Sequence, residues 1–176
     1  MTRWLGRWLL RLFGWRVDGA FPEHAKMVLI GAPHSSNWDF IIGMAAMFAL
    51  GIRISFFIKH TAFKPGLRGF LRWLGGVPVN RRAPGGIIEQ TASAMANTER
   101  MVLAVTPEGT RRPVKQWKTG FYRIAMANQL PVVPVGIDNR RRAFEVGPAF
   151  DLTGEQSSDF ATMQAWFQRF PRREQA

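Results

Sequence analysis

The 176-residue chain contains no cysteine. That excludes disulfides, a thiolate nucleophile and any Cys-ligated zinc or iron–sulfur site, and it suits a reducing compartment. Acidic residues are scarce: 12 Asp and Glu stand against 24 Lys and Arg, for a net charge of +12, and none precedes Asp18. A surface of that sign favours polyanions, namely nucleic acid, anionic lipid or phosphorylated substrates. Long apolar runs are missing as well. The uncharged, apolar stretch over residues 40–52 falls short of the roughly 18 residues of a membrane span. Arginines break the apolar run at the N-terminus, and no small-residue cleavage site follows, so it is not a convincing signal peptide. There is no repeat, low-complexity tract or linker, and a chain of this length is expected to form one domain with a real core.

Aromatic residues are plentiful. Seven Trp and fourteen Phe accompany a single Tyr, and Trp favours the membrane–water interface. Residues 2–15 have a helical period. Arg3, Arg7 and Arg11 form one stripe, and Trp4, Leu5, Trp8, Leu9, Leu12 and Phe13 form the opposite face, with Leu10 as the misfit. This is the composition of an interfacial helix; the alternative is an ordinary helix resting on the core. The expected division is an amphipathic membrane-interface helix over residues 1–16 and a globular domain over 17–176.

Downstream, strand and helix patterns alternate. Strands are expected over 26–32, 53–59, 77–82, 101–105 and 131–137, with an edge strand over 143–146. Helices are expected over 40–50, 67–74, 86–97, 120–128 and 160–170. The pattern implies an α/β fold, a largely parallel or mixed sheet flanked by helices, with a site built from loops at the carboxyl ends of strands.

Two such loops carry chemistry. The first is Pro33-His34-Ser35-Ser36-Asn37-Trp38-Asp39. Ser35, Ser36 or Asn37 can cap the following helix. Asp39 can hold the His34 imidazole in one tautomer and stabilise its protonated form, which makes His34 a candidate general base. A surface histidine beside a capping aspartate would look the same. The second is Pro107-Glu108-Gly109-Thr110-Arg111, where Glu108 and Arg111 can equally form a structural ion pair. His24 and His60 match no such pattern and read as surface or structural residues. Ser35 and Ser36 lack a Gly-x-Ser-x-Gly context and read as caps rather than nucleophiles.

Four blocks follow one another: His34…Asp39, Gly76-Val77-Pro78-Val79-Asn80-Arg81, Pro107-Glu108-Gly109-Thr110-Arg111 and Val133-Pro134-Val135-Gly136-Ile137, with Lys118-Thr119-Gly120 after the third. Together they resemble the glycerolipid acyltransferase family, the 1-acylglycerol-3-phosphate acyltransferases and their relatives. The resemblance spans about residues 28–137. It implies a glycerol-3-phosphate acyltransferase-like fold. It also implies transfer of a fatty acyl group from acyl-CoA or acyl carrier protein to a lysophospholipid hydroxyl, with no metal or further cofactor. On this reading His34 is the base and Asp39 orients it. Arg81 and Arg111 bind the acceptor phosphate, and Glu108 orients the acceptor or its neighbouring arginine. The Gly109-Thr110 backbone offers N–H donors, and Lys118 completes the substrate-binding set. The expected location is the cytoplasmic face of the cell membrane, peripheral or monotopic, with the N-terminal helix on an anionic surface. Competing readings are an acyltransferase for a lyso-aminolipid or another hydroxylated lipid, a basic nucleic-acid-binding protein, and a catalytically silent membrane-docking protein. The spread of basic residues among the motif loops argues against nucleic acid as a partner.

Overall fold

The computed structural model describes residues 3–80, 82 and 86–172. In chain order its elements are α1 (Arg3–Leu12), β1 (Arg16–Asp18), β2 (Lys26–Ala32), α2 (Asn37–Leu50), β3 (Ile54–Lys59), α3 (Arg68–Trp73), β4 (Gly76–Val79), α4 (Gly86–Ala96), β5 (Met101–Val105), α5 (Gly120–Ala127), β6 (Val132–Asp138), β7 (Ala143–Val146) and α6 (Gln156–Phe167), with one 3-10 turn at His60–Ala62. The strands form a single mixed sheet in the order β1-β7-β6-β2-β5-β3-β4. Among the described strands only the β6–β7 pair is antiparallel.

The continuous apolar strands are explained by their two buried faces. In β2, Met27 and Leu29 join one core with Leu10, Ile42 and Ala45, from α1 and α2. Val28 and Ile30 join the other, with Met95, Phe121 and Met163 from α4, α5 and α6. α2 is apolar almost all round because it lies between the sheet and α1. It stops where Gly51 turns left-handed, with φ +74°, as a C-terminal glycine does.

Two expectations need correction. Ala143–Val146 is not an edge strand, because β1 pairs with it on the outside. β1 has only three residues and two of them are charged, so it carries no hydrophobic alternation. α6 begins four residues earlier than its apolar pattern, in the polar segment Gln156-Ser157-Ser158-Asp159. There Asp159 accepts hydrogen bonds from the Thr153 N–H and hydroxyl.

The misfit in α1 is its anchor. Leu10 and Gly6 are the residues of α1 buried against α2. A methyl group added at Gly6 would lie 2.7 Å from the Ala45 carbonyl oxygen, so glycine permits the close approach. The predicted apolar stripe faces outward instead, with Trp4 67%, Trp8 53% and Leu12 61% exposed. Among the described residues no helix is long and apolar enough to cross a membrane.

Candidate active site

Because β2, β3, β4, β5 and β6 run parallel, their carboxyl ends share one edge of the sheet. The loop after β2 holds His34. The loop after β5, on one side, holds Glu108, and the turn after β6, on the other, holds Asn139 to Arg142.

The β2–α2 loop is built by its own polar residues. Ser36 caps α2, its hydroxyl oxygen accepting the Trp38 N–H at 3.1 Å. Asp39 Oδ2 accepts the N–H groups of Ser35 and Ser36 at 2.7 and 2.8 Å. The same carboxylate oxygen lies 3.3 Å from Nδ1 of His34. Burial disfavours the charge on Asp39, but the hydrogen bonds from His34, Ser35 and Ser36 prevail and hold its carboxyl below the ordinary aspartate range. An ionised carboxylate facing Nδ1 keeps the proton there and leaves Nε2 as the basic nitrogen. The two readings of this stretch are therefore both true: Asp39 is a helix cap and the partner of a histidine. The His34 side chain keeps 18% of its surface exposed, so a substrate can reach it.

Glu108 is buried and does not face open solvent. Its Oε2 accepts the backbone N–H of His34 at 2.8 Å, and Oε1 forms an ion pair with Arg172. The Arg172 guanidinium also donates to the carbonyl oxygens of His34, at 3.0 Å, and Arg111, at 2.9 Å. Glu108 is thus a fastening between the two candidate loops, a role distinct from orienting an acceptor. The expected pair with Arg111 is replaced by one with Arg172, and Arg111 meets Arg172 through its carbonyl.

The Gly109 N–H donates to the Thr106 carbonyl at 3.0 Å, so it is not a free donor for an oxyanion. Gly109 adopts φ +62°, and a methyl group there would meet the Lys118 side chain at 2.7 Å. Lys118 therefore lies across the Glu108–Gly109 turn, anchored by its N–H to the Pro107 carbonyl at 2.8 Å. The Thr110 hydroxyl accepts the Arg112 N–H at 3.3 Å and shapes the turn. Asn80, Thr110 and Arg111 lie in the loops that follow β4 and β5. Arg81 lies outside the described residues. His24 is exposed, and His60, which follows β3, faces the carbonyl of Val79 at the end of β4 at 3.4 Å.

Two features escape the motif reading. Arg172 belongs to no block, and nothing in Pro171-Arg172 marks it. The Asn139–Arg142 turn does have a signal: three consecutive arginines at the carboxyl end of a strand already recognised.

Comparison with known proteins agrees with this architecture. No curated protein matches the chain. The crystal structure of the 1-acyl-sn-glycerophosphate (LPA) acyltransferase PlsC from Thermotoga maritima shares its fold, with a TM-score of 0.66 and 18% identity over 96% of this chain and 76% of that one. An acyltransferase family model matches residues 16–138, a span that runs from β1 through His34, Asp39, Glu108 and Lys118 to the end of β6. The chain belongs to this family and is an acyltransferase.

Proposed function

We propose that the enzyme transfers a fatty acyl group from an acyl thioester, carried by coenzyme A or acyl carrier protein, to the hydroxyl of a lysophospholipid in phospholipid biosynthesis. The preferred acceptor is 1-acylglycerol-3-phosphate. The observation that carries the proposal is the 3.3 Å approach of His34 Nδ1 to the ionised Asp39. Nε2 removes the proton of the acceptor hydroxyl as its oxygen attacks the thioester carbonyl. The C–S bond then breaks, and the departing thiolate takes the proton back from the imidazolium. This scheme needs no metal and no cofactor beyond the thioester. A positioned base of this kind contributes about 10²–10⁴-fold. Arg81, Arg111 and Lys118 are assigned to the acceptor phosphate, because guanidinium groups match its oxygens in pairs. The likeness to an LPA acyltransferase supports the same acceptor.

The reaction is assigned to the cytoplasmic face of the membrane, with residues 1–16 as the interface element and 17–176 as the catalytic domain. The exposed Trp4, Trp8 and Leu12 face of α1 supports this, as does the arginine stripe beside it. Phe13 and Trp38, with ring centroids 6.0 Å apart, extend that face toward the His34 loop.

The test is purified protein with labelled acyl-CoA and acyl carrier protein, offered lysophosphatidic acid, lysophosphatidylcholine, a lyso-aminolipid and monoacylglycerol. Lysophosphatidic acid is used best, and Arg81→Ala raises its KM about 10–150-fold, the loss of one charged hydrogen bond. A preference for a phosphate-free acceptor overturns the assignment.

A further inference from the structure

A cleft of about 650 Å³ lies on the other side of the His34 loop, between the end of α1, the start of α2 and the β6–β7 turn. One wall is apolar and aromatic, with Phe13, Trp15, Trp38 and Ile42, and Arg172, the partner of Glu108, also lines the cleft. Trp15 is fixed against Phe144, ring centroids 5.0 Å apart. Phe13 and Trp38 are also part of the exposed apolar surface, so the cleft opens onto it. Asp39 lines its inner end, beside His34.

The rim is cationic. Asp138 accepts the N–H groups of Arg140 and Arg141 at 3.0 and 2.9 Å and so shapes the turn. Arg141 points elsewhere and pairs with Asp18 and Glu145. The guanidinium of Arg140 has no hydrogen-bond or ion-pair partner among the described residues. Arg142 holds φ +49°, a left-handed conformation that is uncommon for a residue with a side chain. Its guanidinium donates only to the Phe13 carbonyl, at 3.4 Å. Gly14 leaves room for that group, since a methyl there would lie 3.2 Å from Arg142 Nη1. Asn139, which precedes the arginines, also lines the cleft, and its Nδ2 is buried and has no acceptor among the described residues. A buried donor without an acceptor is unfavourable unless a ligand supplies one.

We infer that this cleft is a second anion-binding site, taking the phosphate of a phosphate ester whose apolar or slender chain lies along the aromatic wall toward His34. Arg140 and Arg142 hold the phosphate, and Asn139 Nδ2 gives a further hydrogen bond. The choice of ligand rests on the proposed function. An acyl transfer between a thioester carrier and a lysophospholipid brings two phosphate esters to one histidine. The edge has cations on both flanks of that histidine, Arg111 and Lys118 on one and Arg140 and Arg142 on the other. The phosphate comes either from the lipid acceptor or from the phosphopantetheine arm of the donor.

Calorimetric titration separates these sources without requiring turnover. The full-length His34→Ala protein is titrated with two ligand pairs: 4′-phosphopantetheine against pantetheine, and hexanoyl lysophosphatidic acid against monohexanoylglycerol. In each pair only the phosphate differs. Arg140→Ala, or Arg142→Gly, which suits the left-handed backbone, weakens one phosphorylated ligand about 10–150-fold and leaves its phosphate-free counterpart unchanged. Arg141→Ala has no effect. Loss for phosphopantetheine assigns the cleft to the donor, and loss for lysophosphatidic acid assigns it to the acceptor. If neither phosphorylated ligand weakens in either variant, the inference is wrong. Arginine-dependent binding in a wild-type enzyme that acylates no lysolipid would instead refute the proposed function and keep the site.

Discussion

The carboxylate of Glu108 accepts the backbone N–H of His34 across 2.8 Å, so the residue after one strand sets the path of the loop after its neighbour. Asp39 orients the imidazole from within that loop, and Glu108 places the loop as a whole. The two acidic residues therefore predict different failures.

Replacing His34 with Ala is expected to remove turnover by about 10²–10⁴-fold with little change in melting temperature, because the loop is held by its backbone and by Asp39. Asp39→Asn should lower kcat as well, by permitting the other tautomer. It should also lower stability, since it weakens the acceptor for the Ser35 and Ser36 N–H groups; loss of such a cap costs about 0.5–2 kcal/mol. Steady-state kinetics and thermal melting on the same samples check both. A folded His34→Ala enzyme with near-normal turnover contradicts the base assignment.

Arg172→Ala is expected to lower kcat more than it raises either KM, because Arg172 acts through Glu108 and the His34 carbonyl. It leaves a buried carboxylate short of a partner, at about 1–3 kcal/mol of stability. Glu108→Gln combined with Arg172→Ala should then be less damaging than the two single losses added together. Strict additivity would mean that the two side chains act independently.

In α1 the two faces separate cleanly. Trp4→Ala with Trp8→Ala should weaken binding to anionic vesicles and leave the melting temperature nearly unchanged, since both rings are exposed. Leu10→Ala should do the reverse, removing about 2–5 kcal/mol of stability while sparing vesicle binding in the protein that stays folded. Gly6→Val should also destabilise, by forcing α1 away from the Ala45 backbone. Vesicle sedimentation alongside denaturant melts distinguishes these cases. If the double tryptophan variant sediments like the wild type, α1 is not the membrane element.

Stability should fall at both ends of the pH scale. The folded-state pKa values of Asp39 and Asp159 are lowered by their hydrogen bonds, against burial. Their contribution is full above the unfolded aspartate value of about 3.9 and is lost as pH falls through the folded values. Tyr122 is raised, by burial and by the hydrogen bond it donates to Asp159 at 2.9 Å. Its contribution is full below about pH 10 and is lost above it. Tyr122→Phe should flatten the alkaline limb of a melting-temperature profile; on the acid side it removes one of the hydrogen bonds that lower Asp159 and spares the contribution of Asp39. An unchanged alkaline limb would show that Tyr122 does not govern it.

The buried parallel strands are legible in the sequence because both of their faces are apolar. His34, Asp39 and Glu108 are legible because a strand end followed by polar turn residues localises them. β1 is not legible, since three residues held by a partner strand have no periodicity of their own. In α1 the outward face is legible and the inward one is not. Its largest apolar stripe marks the outward face, and the contact with α2 depends on a glycine, which hydropathy does not score. Arg172 is invisible because only the tertiary fold brings it to Glu108. The arginine turn after β6 carries the same strand-end signal, an apolar strand followed at once by Asn139 and three arginines.

Arg172 meets the carbonyl of a residue 138 positions earlier. During synthesis His34 and Asp39 emerge long before the group that clamps their loop to Glu108 exists. The clamp closes over a contact of very high sequence separation, which is among the slower kinds to form. A C-terminally shortened chain that lacks Arg172 therefore keeps the residues of the His34–Asp39 pair and loses one of the ties between their loop and the neighbouring strand.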